Sequence, residues 1–207
     1  MTVEGVRDLI ESFEAEAECE RSDEETPEVG IVMGSDSDLE TMYGAYEALT
    51  ELGFEELTDV EDPPETRFTF ETYVVSAHRT PKLMDAYAST AGDRGLDVII
   101  AGAGGKSADL PNMTASLAYP VPVIGVPVQE KSVDSVIGMP TGAPLVAVDA
   151  GKSFNAALSA VQILAREHVE LRDRLVEYHQ SLQGEVASVS RELHESGTPA
   201  FRAERDR

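Results

Sequence analysis

The chain has 207 residues, 42% of them apolar, enough for one domain with a substantial core; 39 acidic against 16 basic side chains leave a net charge of −23. A surface of that sign repels nucleic-acid phosphates and anionic membranes, and no apolar run reaches the ~20 residues that cross a bilayer, so neither is an expected partner. The acidic start lacks the pattern of a signal peptide, which predicts a cytoplasmic protein, and the single Cys19 offers neither an internal disulfide nor metal-ligand spacing.

Residues 1–28 form an acidic N-terminal extension. Val3, Val6, Leu9, Ile10 and Phe13 recur at helical spacing before the run ECERSDEETPE, which predicts a short amphipathic helix and a solvated linker, together a surface appendage. From Val29 the pattern changes to β-rich runs alternating with helical stretches. The runs are VGIVM from Val29, YVV from Tyr73, DVIIAG from Asp97, PVIGV from Pro122 and PLVAV from Pro144. Helices are predicted near 38–52, 81–94, 107–118 and 131–137, with a long one from Lys152, while PETRFTF around Arg67 reads as an exposed connector. Strands apolar on both faces and separated by helices imply βαβ units, hence an α/β fold with a three-layer, doubly wound parallel sheet. The catalytic domain is expected over 29–187 and a polar tail over 188–207. The last helix carries Phe154, Ala157, Leu158, Val161, Leu164, His168, Leu171, Leu175 and Tyr178 on one stripe, too long for one small sheet to cover, so it is expected to pack on another subunit. His168 and His179 beside that stripe suit exposed or capping roles.

The loops after the first three long runs carry the chemistry, since ligands of such sheets bind beyond the carboxyl ends of the strands. MGSDSD supplies a turn at Gly34, hydroxyls at Ser35 and Ser37, and Asp38 as a cap for a helix whose N-terminus favours an anion. It is neither a P-loop nor a GxGxxG fingerprint. In SAHRTP, Ser76 and Arg79 can grip a phosphate, and Thr80-Pro81 reads as an N-cap followed by proline in the first helical position. That leaves His78 at the mouth of the crevice, where an imidazole can pass a proton both ways near neutral pH. AGAGGKSADLPN removes side chains at Gly102, Gly104 and Gly105, where a flat ligand or a small gas-like fragment would approach the backbone N–H groups. GMPTGAPLV, before the fifth run, reads as a rigid wall from a neighbouring loop.

In these motifs the chain resembles the family of N5-carboxyaminoimidazole ribonucleotide mutases and phosphoribosylaminoimidazole carboxylases of purine biosynthesis. The likeness runs from about Val29 to His168 and rests on GSDSD, SAHRTP, AGAGG, PVIGVPV and GMPTGAPLVAV. It implies a flavodoxin-like sandwich assembled as a homo-octamer, with no metal and no organic cofactor. It also implies transfer of a carboxyl group from the exocyclic nitrogen of an aminoimidazole ribonucleotide to ring carbon C4, with CO2 as intermediate or co-substrate. By matching position, Ser35 and Arg79 would bind the 5'-phosphate with Ser37 and Ser76, Asp38 the ribose hydroxyls, and His78 would carry the proton. Ala77, Ala103 and the glycines would complete the substrate pocket.

The match has departures. Bacterial mutases of the family carry a His after the glycine loop where this chain has Asp109, and Lys106-Ser107 lean toward the direct carboxylases, whereas Arg79 matches the mutases. The mutase is the favoured reading and the carboxylase, using AIR and CO2, its alternative. A non-catalytic flavin or phosphate module is the distant one, since the loops at Gly34, Ser76 and Gly102 hold no aromatic on which a flavin would stack. The charge adds one expectation: self-repulsion is relieved where molar salt cuts the Debye length to about 3 Å, as in the cytosol of a halophile.

Overall fold

The computed structural model describes residues 3–19, 26–59 and 62–205. The apolar runs become β1 (Val29–Met33), β3 (Thr69–Val74), β4 (Val98–Ala103), β5 (Val123–Pro127) and β6 (Val146–Ala147), and a two-residue strand β2 (Glu55–Glu56) lies at one edge. All pair parallel in the order β2-β3-β1-β4-β5-β6. Eight helices are described: α1 (Glu4–Glu18), α2 (Leu39–Glu51), α3 (Pro81–Thr90), α4 (Leu110–Leu117), α5 (Val133–Ile137), α6 (Ser153–Leu164), α7 (Val169–Ser196) and α8 (Thr198–Arg205).

The two-residue period of a strand divides the core into two layers. Val29, Ile31, Met33, Val98 and Ile100 face α2 and α6, where Met42, Leu49, Ala157 and Val161 are buried against them. Val32, Ile99 and Ala101 face α3 and α4, meeting Leu83, Met84, Tyr87, Leu110 and Ala115. Both sheet faces are covered, so the fold is the expected three-layer, flavodoxin-like α/β sandwich. The chain lays β3 on one side of β1 and β4 on the other. That reversal of winding opens a crevice at the carboxyl ends of these three strands.

Three local expectations are corrected. The segment around Arg67 is no exposed connector: Phe68, Thr69 and Phe70 are buried, and the sheet begins here. Glu28 anchors it, one carboxylate oxygen receiving the Thr69 N–H at 2.7 Å and the other the Arg67 guanidinium. The long final helix is two helices, broken at Ala165–His168, where His168 stands edge-on to Phe68 with ring centroids 5.1 Å apart. The second of them, α7, has 28 residues, about 42 Å at 1.5 Å each, with Leu171 as its buried side chain. Lastly, the predicted N-terminal helix forms but is more than an appendage. Phe13 of α1 is fully buried, edge-on to Tyr73 at 5.0 Å and Tyr87 at 5.4 Å, and Glu16 takes a bond from Arg94 at 3.1 Å.

Candidate active site

An open cleft of about 250 Å³ lies where the loops after β1, β3 and β4 converge. Its walls include Gly34, Ser35, Ser37 and Asp38 from the first loop and Ser76, Ala77 and His78 from the second. Ala103, Gly104 and Gly105 come from the third. Of the catalytic and substrate-binding residues expected from the sequence, Gly102 and Arg79 lie off this wall.

The first loop is built by its own hydroxyls. Ser35 caps a short 3-10 turn over Asp36–Asp38, its Oγ accepting from the Ser37 N–H at 3.4 Å and donating to Asp36 Oδ1 at 3.0 Å. Asp38 occupies the N-cap position of α2 but makes no side-chain cap bond. Its carboxylate turns instead between Gly34 and Gly104, and a Cβ added at Gly104 would lie 3.0 Å from Oδ1. Asp38 is only 6% exposed, and burial pushes its carboxyl above the ordinary carboxylate range against the opposing pull of the Ser35 and Gly104 N–H groups and the Arg79 charge. A buried carboxylate at a crevice without its capping bond is held for something other than the helix.

The second loop is a tight turn. Pro81 opens α3 as expected, but Thr80 does not cap it through its side chain. Thr80 Oγ1 accepts from the Ser76 N–H at 3.0 Å, and Ser76 Oγ accepts from the Arg79 N–H at 3.2 Å. These two bonds close the turn and present His78, whose side chain is 63% exposed, at the rim of the cleft. The Arg79 guanidinium reaches across to the first loop, donating from Nη2 to the Gly34 carbonyl at 2.9 Å. One arginine thus ties two ligand loops together and keeps further N–H donors.

In the third loop Gly104 and Gly105 border the cleft, and Gly105 has φ +86°, a conformation side chains rarely adopt. Gly102 is a correction. It ends inside the sheet opposite Met33, and the space left by its missing side chain is filled by Met42 of α2, so it serves packing and not ligand approach. The GMPTGAP segment likewise does not line the cleft; Met139 and Pro140 lie beside Met113 and Leu117 on another face.

Sequence reasoning missed Ser107, Gln129 and Lys131, which also line the cleft, and left Asp109 without a role. Gln129 and Lys131 follow β5 directly, so the strand-end rule applied to a fourth loop would have found them. Asp109 stands at the start of α4 with Oδ2 at 3.2 Å from His78 Nε2, and its Oδ1 accepts from Ser135 Oγ at 3.3 Å. Among the described residues no group of three or more His, Cys, Asp or Glu could hold a metal ion. No described helix is long and apolar enough to cross a membrane.

The profile of the AIR carboxylase family matches residues 28–185. The chain belongs to that family. It is 43% identical over 182 residues to the N5-carboxyaminoimidazole ribonucleotide mutase of Synechocystis, covering 85% of this chain and 94% of the relative. The mutase of Mycobacterium tuberculosis is 45% identical over 175 residues, 82% of this chain and 91% of that one. Among solved structures Treponema denticola PurE superposes with a TM-score of 0.65 at 23% identity, over 81% of this chain and 98% of that one, a likeness of fold. The AIR carboxylase match begins just before β1, so α1 lies outside it.

Proposed function

We propose that this protein is an N5-carboxyaminoimidazole ribonucleotide mutase of purine biosynthesis. One observation carries the reading: in a chain over 40% identical to mutases along most of their length, the SAHRTP imidazole stands at the rim of a cleft walled by the GSDSD and AGAGG loops. Ser35, Ser37, Ser76 and Arg79 hold the 5'-phosphate, and Asp38 receives the ribose hydroxyls. Ala77, Ala103 and the Gly104–Gly105 backbone face the base and its carboxylate.

The proton account closes on one residue. His78 as imidazolium gives a proton to the carbamate nitrogen, the N–C bond breaks, and CO2 is released into the pocket. The electron-rich C4 attacks the CO2 carbon, forming the C–C bond, and the C4 proton returns to His78 as the ring regains aromaticity. No cofactor is required, because the aminoimidazole itself is the nucleophile. Supplying the purified protein with N5-carboxyaminoimidazole ribonucleotide, and separately with AIR and bicarbonate, tests the assignment. Fast turnover of the first is expected; turnover confined to the second replaces the mutase by the carboxylase that Lys106-Ser107 favour.

The reading extends to assembly and setting. Val169, Val176, Leu182, Val186 and Leu193 are exposed along α7, as befits a homo-oligomer, an octamer by family resemblance, in a cytoplasm rich in salt.

A further inference from the structure

The contact between His78 and Asp109 has no part in the mechanism above, and its chemistry is informative. A carboxylate offers only acceptor oxygens. With Asp109 Oδ2 3.2 Å from His78 Nε2, two lone pairs would repel unless that nitrogen carries a proton. In the neutral ring the remaining nitrogen, Nδ1, is then the one with a free lone pair. Asp109 is itself held. Its other oxygen takes the Ser135 hydroxyl at 3.3 Å, and the Ser135 carbonyl takes the Asn112 side-chain N–H at 2.7 Å, linking α4 to α5. Asp109 makes no cap bond to α4, so the carboxylate is not engaged in holding the helix start.

We propose that Asp109, buttressed by Ser135, is a positioning residue that fixes the tautomer and orientation of His78, so that Nδ1 is the nitrogen exchanging protons with the substrate. The inference rests on the mutase reading for its kinetic consequence but not for its spectroscopic one. Asp109 moves no proton itself; it keeps Nε2 protonated throughout, while Nδ1–H gives its proton to the carbamate nitrogen and Nδ1 later accepts the C4 proton.

The test compares the full-length wild type with Asp109→Asn, Ser135→Ala, His78→Asn and the double variant His78→Asn/Asp109→Asn. Asp109→Asn should lower kcat by about 10- to 100-fold, less than the loss of the acid–base group itself, with KM within about twofold. Ser135→Ala should give a fall of about two- to fivefold. In the His78→Asn background Asp109→Asn should cost nothing further, since a residue acting through the imidazole has nothing left to act on. Nitrogen-15 shifts of labelled histidine, read without substrate with His78→Asn for assignment, should show the neutral ring as the Nε2–H tautomer in the wild type and as a mixture of the Nε2–H and Nδ1–H tautomers in Asp109→Asn. An unchanged tautomer, or an unchanged kcat in Asp109→Asn, overturns the proposal. A wild type inactive on the carbamate but with the expected tautomer shift would sink the mutase reading and leave the Asp109–His78 pairing standing.

Discussion

Arg79 and Arg94 sit fifteen positions apart and are put to opposite uses. Arg94 is buried between α1 and the sheet. Its Nη2 binds Glu71, its Nε binds Glu16, and its guanidinium lies 4.5 Å from the centre of the Phe13 ring and 5.3 Å from that of Tyr87. Every one of these partners is part of the core or of the helix sealing it. Arg79 stands exposed with its guanidinium fastened to a backbone carbonyl, Gly34, so its charge is fixed in place, felt by Asp38 but closed in no ion pair among the described residues. A buried cation surrounded by carboxylates is consumed by the fold, whereas one hung on a carbonyl beside a crevice keeps donors to spare, which is what the proposed phosphate contact needs.

Substitutions can break or sharpen that contrast. The largest effect is expected at the exposed end: His78→Asn should lower kcat by about 10²- to 10⁴-fold while nucleotide binding by calorimetry stays near wild type. Equal loss of binding would mean that the imidazole holds substrate and is not the proton carrier. Next, Arg94→Ala should destabilise the fold by about 3–5 kcal/mol in chemical denaturation, because Glu71 is left buried and uncompensated, with KM unchanged in the folded fraction. Arg79→Ala should show the reverse: affinity for the nucleotide falling about 10- to 100-fold, from loss of charge-assisted bonds, and stability moving by less than about 0.5 kcal/mol. A clear drop in Tm for Arg79→Ala would make the tie between the first two loops structural.

The smallest effect concerns Glu28. Burial pushes its carboxyl up to about 7, against the opposing bonds from Thr69 and Arg67. Between its ordinary value of 4.5 and about 7 the folded state keeps a proton that the unfolded chain has released. Its contribution is therefore full below about pH 4.5 and is lost as pH rises through 7, with a slope of at most about 1.4 kcal/mol per pH unit. Glu28→Gln should flatten that part of the stability profile; an unchanged slope would show that Arg67 keeps Glu28 ionised throughout.

The same contrast decides what was legible in the sequence. Strands buried on both faces read as unbroken apolar runs, and the residues at their ends announced the cleft, so β1, β4 and β5 and eight of the cleft's wall residues followed from pattern, with Ala77 and Ala103 added by the family resemblance. The start of β3 did not, because Glu71 interrupts TFETYV with a charge whose neutraliser, Arg94, lies 23 positions away. The docking of α1 was hidden for the same reason, since Glu16 meets Arg94 across 78 positions. The break before α7 carries no glycine or proline to mark it, and the apolar stripe runs on across Ala165–His168 as if nothing happened. At the cleft, Gly102 and Gly104 look alike in a string of letters, but Gly102 lies within β4, where the site of its missing side chain meets Met42, whereas Gly104 lies just past the strand's end at Ala103, where that site is beside Asp38.

Met42 belongs to the first turn of the helix that the GSDSD loop feeds, and its sulfur nests in the hollow above Gly102. The depth of that hollow sets how closely α2 approaches the sheet, and therefore the height at which the serine loop stands over the crevice floor. A methyl group at Gly102 would act as a shim, lifting the helix and its loop together and altering nucleotide affinity from a position that never meets the nucleotide.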